Sequence, residues 1–107
     1  MIDIEELKIK YNGLPVFTIK ELLRFRNKYI IIFKIDSDFF IVGKIEILVK
    51  DDDDEMNSAM IIYDDNHNPT GVLTLYDIQS ISEISYLDYV KLIHLYNKQD
   101  KEVLKEN

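Results

Sequence analysis

A chain of 107 residues, 47% hydrophobic and 31% charged, has the size and composition of one ordinary globular domain, which excludes a disordered chain and a disulfide scaffold. With no cysteine there are no disulfides, thiolate nucleophiles or thiolate metal sites, which fits a reducing cytoplasm, and no run approaches the roughly 18 apolar residues of a spanning helix. The formal charge of −7 is uneven: nine Lys/Arg stand against seven Asp/Glu over residues 1–50, but four against thirteen over residues 51–107. That acidic excess argues against nucleic acid or an anionic membrane as partner and for a basic protein.

Met1 to Tyr11 carry acids where a secretory signal would carry positive charge, so a soluble, intracellular chain is expected. Leu7-Lys8-Ile9-Lys10-Tyr11 alternates apolar and basic residues before Asn12-Gly13, a favoured two-residue turn, and this predicts a small hairpin within residues 1–18. Its return arm, Leu14 to Phe17, contains Pro15 and belongs at an edge. Thr18 with Glu21 forms a capping box, flanked by Phe17 and Leu22 at the positions of a hydrophobic staple, so a helix is expected over residues 19–28. It would bury Ile19, Leu22 and Leu23 and show water a basic ridge of Lys20, Arg24 and Lys28, joined by Arg26.

Five strands are expected over residues 29–84. Tyr29 to Ile35 is β-branched or aromatic at nearly every position and ends at Asp36-Ser37-Asp38. Phe39 to Lys50 puts Ile41, Ile45, Ile47 and Val49 on one face with Lys44 and Glu46 on the other, yet Phe40 and Val42 fall on the polar side. Either a bulge at Gly43 swaps the faces, or both faces are covered there. Ser58 to Tyr63, Val72 to Tyr76 and Ile78 to Ile84 complete the set, separated by the turn-rich Asp64 to Gly71 and by a tight bend at Asp77. Ser85 and Asp88 then open a helix over residues 85–104, with Tyr86, Leu87, Tyr89, Val90, Ile93 and Tyr96 on a broad apolar face and Asp88, Lys91, His94 and Lys98 on a polar stripe; its tail through Val103 and Leu104 extends it or frays. The expected fold is therefore a single domain, mainly β with flanking helices, an α+β arrangement built on a five-stranded, strongly bent sheet or small barrel.

The order of short helix, bent meander and the closing run Gly71-Val-Leu-Thr-Leu-Tyr-Asp-Ile-Gln-Ser-Ile resembles the Sm-like or SH3-like small barrel. Within it, L-x-D-I-x-S-I (Leu75, Asp77, Ile78, Ser80, Ile81) resembles the YolD-like group, and the likeness covers about residues 19–84. The glycine- and asparagine-bearing RNA-contacting loops of the Sm pattern are not matched, and the C-terminal helix is an addition. The resemblance therefore implies a fold and no binding residue.

Motifs of chemistry are few. His67 and His94 stand alone, no G-x-S-x-G elbow surrounds any serine, and glycines only at 13, 43 and 71 leave no phosphate-cradling loop. Acids are too numerous for the sequence to single out a pair such as Asp64 and Asp77. No catalytic residue, metal or cofactor is expected. The block Asp51, Asp52, Asp53, Asp54 and Glu55 lacks the alternate spacing and glycine of a calcium loop and reads as a solvated tip or a contact surface for a basic partner. Asp64, Asp65, Tyr63 and Tyr76 belong to the same acidic, tyrosine-bearing half. These residues form the expected partner-binding set of a regulator or inhibitor, a nucleic-acid mimic or defence antagonist that occludes a basic groove. The alternative is an RNA- or nucleotide-binding module using Lys20, Arg24, Arg26 and Lys28, with Phe25 and Tyr29 to stack on bases, in a homo-oligomeric ring.

Overall fold

A computed structural model describes residues 3–106, excepting the side chains of residues 47, 48 and 99–106. It is a mixed α+β structure with three α-helices and one five-stranded antiparallel sheet. The strands are β1 (Ile30–Lys34), β2 (Phe40–Val49), β3 (Ala59–Tyr63), β4 (Pro69–Thr74) and β5 (Ile78–Glu83), in the order β4-β3-β2-β1-β5. No ladder joins the edge strands β4 and β5 among the described residues, so the sheet is open. The bend expected at Asp77 is a 3-10 turn over Leu75–Asp77, closed by a capping box between Thr74 and Asp77.

β2 is the element on which the others are arranged. Through Gly43 it pairs with β1, Ile30 opposite Gly43, and from Lys44 it pairs with β3. Gly43 has φ 149°, and a Cβ there would run into the Tyr63 carbonyl, so this corner requires glycine. The faces do not swap. Ile41 and partly buried Ile45 serve one core with Ile30, Ile32, Met60, Ile62, Leu73 and Ile81, while Phe40 and Val42 serve a second with Ile31 and Phe33. Both faces are therefore covered around Gly43, whereas Val49, expected on the buried side, is exposed. Ile47 lies outside the residues whose side chains are described.

The second core is roofed by helices. α3 (Tyr86–Glu106) starts where the Ser85 hydroxyl accepts the Asp88 N–H at 3.1 Å, and it runs through residues 103 and 104, whose side chains are outside the described set. Its covered face is narrower than the apolar count suggests. Tyr89, Leu92, Ile93 and Tyr96, at spacings of three and four, meet the sheet, while Tyr86, Leu87 and Val90 face water. The Tyr96 ring lies edge-on to Phe40 with its hydroxyl bonded to the Thr70 carbonyl, which fixes the helix across β2 to the start of β4.

Two local expectations are corrected. The predicted N-terminal hairpin is a helix, α1 (Ile4–Lys10), because Asp3 caps it through the Glu5 and Glu6 N–H groups, acids fill its first turn and lysines its last. The apparent alternation through Leu7, Ile9 and Tyr11 hides a helical face of Ile4, Leu7 and Tyr11 that packs on the second core and leaves Ile9 79% exposed. Asn12-Gly13 makes no hairpin turn; Gly13 lies against the Ile81 carbonyl, where Leu14 and Ile81 exchange two backbone hydrogen bonds on the outer edge of β5.

The second helix is also shorter than its pattern. α2 spans Ile19–Leu22, tightens into a 3-10 turn at Leu23–Phe25, and ends where Arg26 is extended and Asn27 takes φ 63°. Phe17 is 59% exposed and staples nothing, while Leu22 is fully buried in the first core. Lys20, Arg24, Arg26 and Lys28 therefore do not stack into a helical ridge.

Candidate partner-binding site

The acidic block joins β2 to β3, and internal bonds order it. The Asp51 N–H donates to Ser58 Oγ (2.9 Å), and the Asp51 carboxylate accepts the Asp53 and Asp54 N–H groups (3.0 Å each) and the Asn57 amide (3.3 Å). This is an aspartate folding the backbone two and three residues ahead back onto itself. Those donors, the Asp54 N–H foremost, hold the Asp51 carboxyl below the usual carboxylate range.

Two further acids tie the loop to the body of the protein. Glu55 Oε1 accepts the Ile19 N–H at 2.8 Å, satisfying an orphan donor at the start of α2. The expected capping box is thus altered. The Thr18 hydroxyl accepts the Glu21 N–H, as the sequence predicts, but it also donates to the Glu21 carboxylate, and Glu55 adds from afar a second cap on the Ile19 N–H. Asp54 accepts the Tyr76 hydroxyl at 2.8 Å, which raises the Tyr76 pKa by stabilising the protonated phenol. What remains outward is a tip of Asp52, Asp53, Asp54 and the exposed ring of Tyr76. Lys50 approaches Asp52 at 3.9 Å with both side chains largely exposed, a pair of little energetic weight.

Asp64 and Asp65 lie at the other end of β3, about 15 Å of strand away. Both are engaged internally. Asp64 accepts the Asn66 and Asn68 N–H groups (2.9 and 2.8 Å) and shapes a turn in which His67 takes φ 63° and its ring stacks on Tyr63 at 4.2 Å. Asp65 accepts the Tyr29 hydroxyl at 2.8 Å while its N–H donates to the Tyr89 hydroxyl at 2.9 Å. Tyr29 stacks on Tyr89 (4.4 Å), tilts against Tyr86 (5.4 Å) and carries the Lys44 ammonium over its ring (4.6 Å). The bond to Asp65, with lesser help from burial, pushes the Tyr29 pKa up to about 12, and burial raises that of Tyr89.

The expected set therefore separates. Asp51, Asp52, Asp53, Asp54, Glu55 and Tyr76 are brought together at one end of β3, and Tyr63, Asp64 and Asp65 at the other. Sequence reasoning missed the joining of Tyr29 to Tyr89 through Asp65, residues far apart in the chain and carrying no shared motif. Of the basic residues, Lys28 pairs with Glu83 at 3.4 Å. Among the described residues no three histidine, aspartate or glutamate side chains gather closely enough to hold a metal ion, and no helix is long and apolar enough to cross a membrane. Comparison with protein-family models, with curated proteins and with solved structures finds no match for this chain.

Proposed function

We propose that this protein is a small acidic, non-catalytic binding protein of the cytoplasm, a regulator or inhibitor that docks a basic protein surface on the tip Asp52, Asp53, Asp54 and Tyr76. The carrying observation is that Asp51, Asp54 and Glu55 are each held by internal hydrogen bonds, so the outward carboxylates are presented by an ordered loop. A preordered anionic array loses little entropy when a partner binds, and its field speeds encounter with a cationic groove. An exposed tyrosine at its side adds the aromatic contact area on which interfaces draw. Nucleic-acid mimicry and defence antagonism belong to this reading. So does kinship with the Sm-like or SH3-like barrels, supported by the corner at Gly43 and a core on each face of the sheet.

The test is capture of the partner from the native host with the wild-type chain and with Asp52→Lys/Asp53→Lys, followed by affinity measurement on the purified pair across a salt series. A basic partner whose affinity falls on charge reversal and on added salt supports the proposal. A partner bound equally by both chains refutes it. Measurable affinity for bare RNA at physiological salt that is lost in Arg24→Glu also refutes it.

A further inference from the structure

The early end of α2 opens a groove that the acidic tip does not use. β1 begins only at Ile30, opposite Gly43, because Arg26 and Asn27 carry the preceding chain away from the sheet. From Lys44 onward β2 has β3 on one side only, and its other side faces α2 and the 3-10 turn across a groove of about 500 Å3. That volume is in the range of ligand-binding clefts. Leu23 and Ile45 supply the apolar lining, with the buried Leu22 behind them, while Arg26, Asn27 and Glu46 supply polar groups. Among the described residues none forms an ion pair or a hydrogen bond with the Arg26 or Glu46 side chain.

We propose that this groove receives an extended peptide segment of a partner protein, added as a short strand along the free side of β2 beyond Gly43. An unpaired strand edge offers backbone donors and acceptors that another extended chain satisfies, and alternation of side chains then sets specificity. The occupant is identified by the lining: apolar side chains at alternate positions enter between Leu23 and Ile45, and the intervening positions carry an acid toward Arg26 and a base toward Glu46. A free amino acid would fill the lining but leave the strand edge unpaired, and a second copy of this chain would show as concentration-dependent association. The site is separate from the acidic tip and stands or falls independently of it.

The experiment titrates the isotope-labelled full-length chain with the capped pentapeptide Val-Glu-Val-Lys-Val. Expected are saturable shifts of the Leu22, Leu23 and Ile45 methyls, slowed amide hydrogen exchange within residues 44–46, and a loss of about fivefold in affinity in Arg26→Glu, recovered with Val-Lys-Val-Lys-Val. Unchanged exchange at residues 44–46 at millimolar peptide overturns the proposal. So do identical shifts with free leucine, protection that appears with protein concentration alone, or equal binding by Arg26→Glu.

Discussion

The two acid-rich loops that flank β3 have similar composition and opposite uses. In the β3–β4 turn, Asp64 and Asp65 both bond inward, one to backbone amides and one to the Tyr29 hydroxyl. In the β2–β3 loop, inward bonds from Asp51, Asp54 and Glu55 hold in place a tip on which Asp52 and Asp53 face water. A carboxylate that satisfies buried or turn amides is part of the fold, and one held out by such carboxylates is available to a partner. The number of acids in a segment does not separate these roles; their hydrogen-bond partners do.

The largest contrast is in stability. Asp64→Ala strands two turn amides and is expected to cost about 1–2 kcal/mol in denaturant unfolding. Asp52→Asn/Asp53→Asn is expected to stay within about 0.5 kcal/mol of wild type while weakening the basic partner. Equal destabilisation by the two variants would abolish the distinction between the loops.

The next effect is a titration. Because Asp65 stabilises the protonated Tyr29 phenol, the folded pKa of about 12 lies above the ordinary 10.0, so this bond stabilises the fold fully below pH 10.0 and is lost as pH rises through about 12. Asp65→Asn is expected to bring the Tyr29 titration back toward 10.0, read as ultraviolet tyrosinate absorbance with Tyr29→Phe as the assignment control. An unchanged titration would mean that burial, not Asp65, sets it. Asp51 runs the other way. Its folded pKa is lowered, so its contribution is present above the ordinary carboxylate pKa and is lost as pH falls through the folded value. Asp51→Asn is accordingly expected to lower the melting temperature by a few degrees at neutral pH and to converge with wild type in acid, measured by calorimetry across pH.

The strands were legible because Ile30 to Phe33, Phe40 to Val42 and Met60 to Ile62 are β-branched or apolar where few other conformations suit them. The coverage of both faces at Phe40 and Val42 was legible as one of two alternatives, and burial by α3 decides it. What escaped was decided over distance. α1 read as a strand because lysines at 8 and 10 interleave with apolar residues, yet Ile4, Leu7 and Tyr11 share the face that meets α3 and the sheet. α2 carries helical spacing through Lys28 but ends at Leu22, its 3-10 continuation stopping at the extended Arg26, and its N-terminal amide is capped by Glu55, 36 residues away. Tertiary packing overrode local pattern in both cases. The candidate site shares this limit: the acids of residues 51–55 were conspicuous in the sequence, but nothing there distinguishes the carboxylates that build the loop from those that leave it.

Tyr76→Phe is expected to give the smallest effect, and it probes how tightly the tip is ordered. Its hydroxyl reaches both Asp54 oxygens, at 3.0 and 2.8 Å, from an exposed position on the turn between β4 and β5. The contact is exposed, so its removal hardly moves unfolding, and water can replace the lost donor. The side chain of Asp54 then samples more rotamers, and a partner must order it again on binding. Partner affinity is therefore expected to fall about twofold to fivefold, with the loss in dissociation rather than in the salt-dependent encounter, because the charge of the tip is unchanged. An unchanged dissociation rate would show that the Tyr76 hydroxyl does not order Asp54 for the partner, and would move the origin of the loop's order back to Asp51 and Glu55 alone.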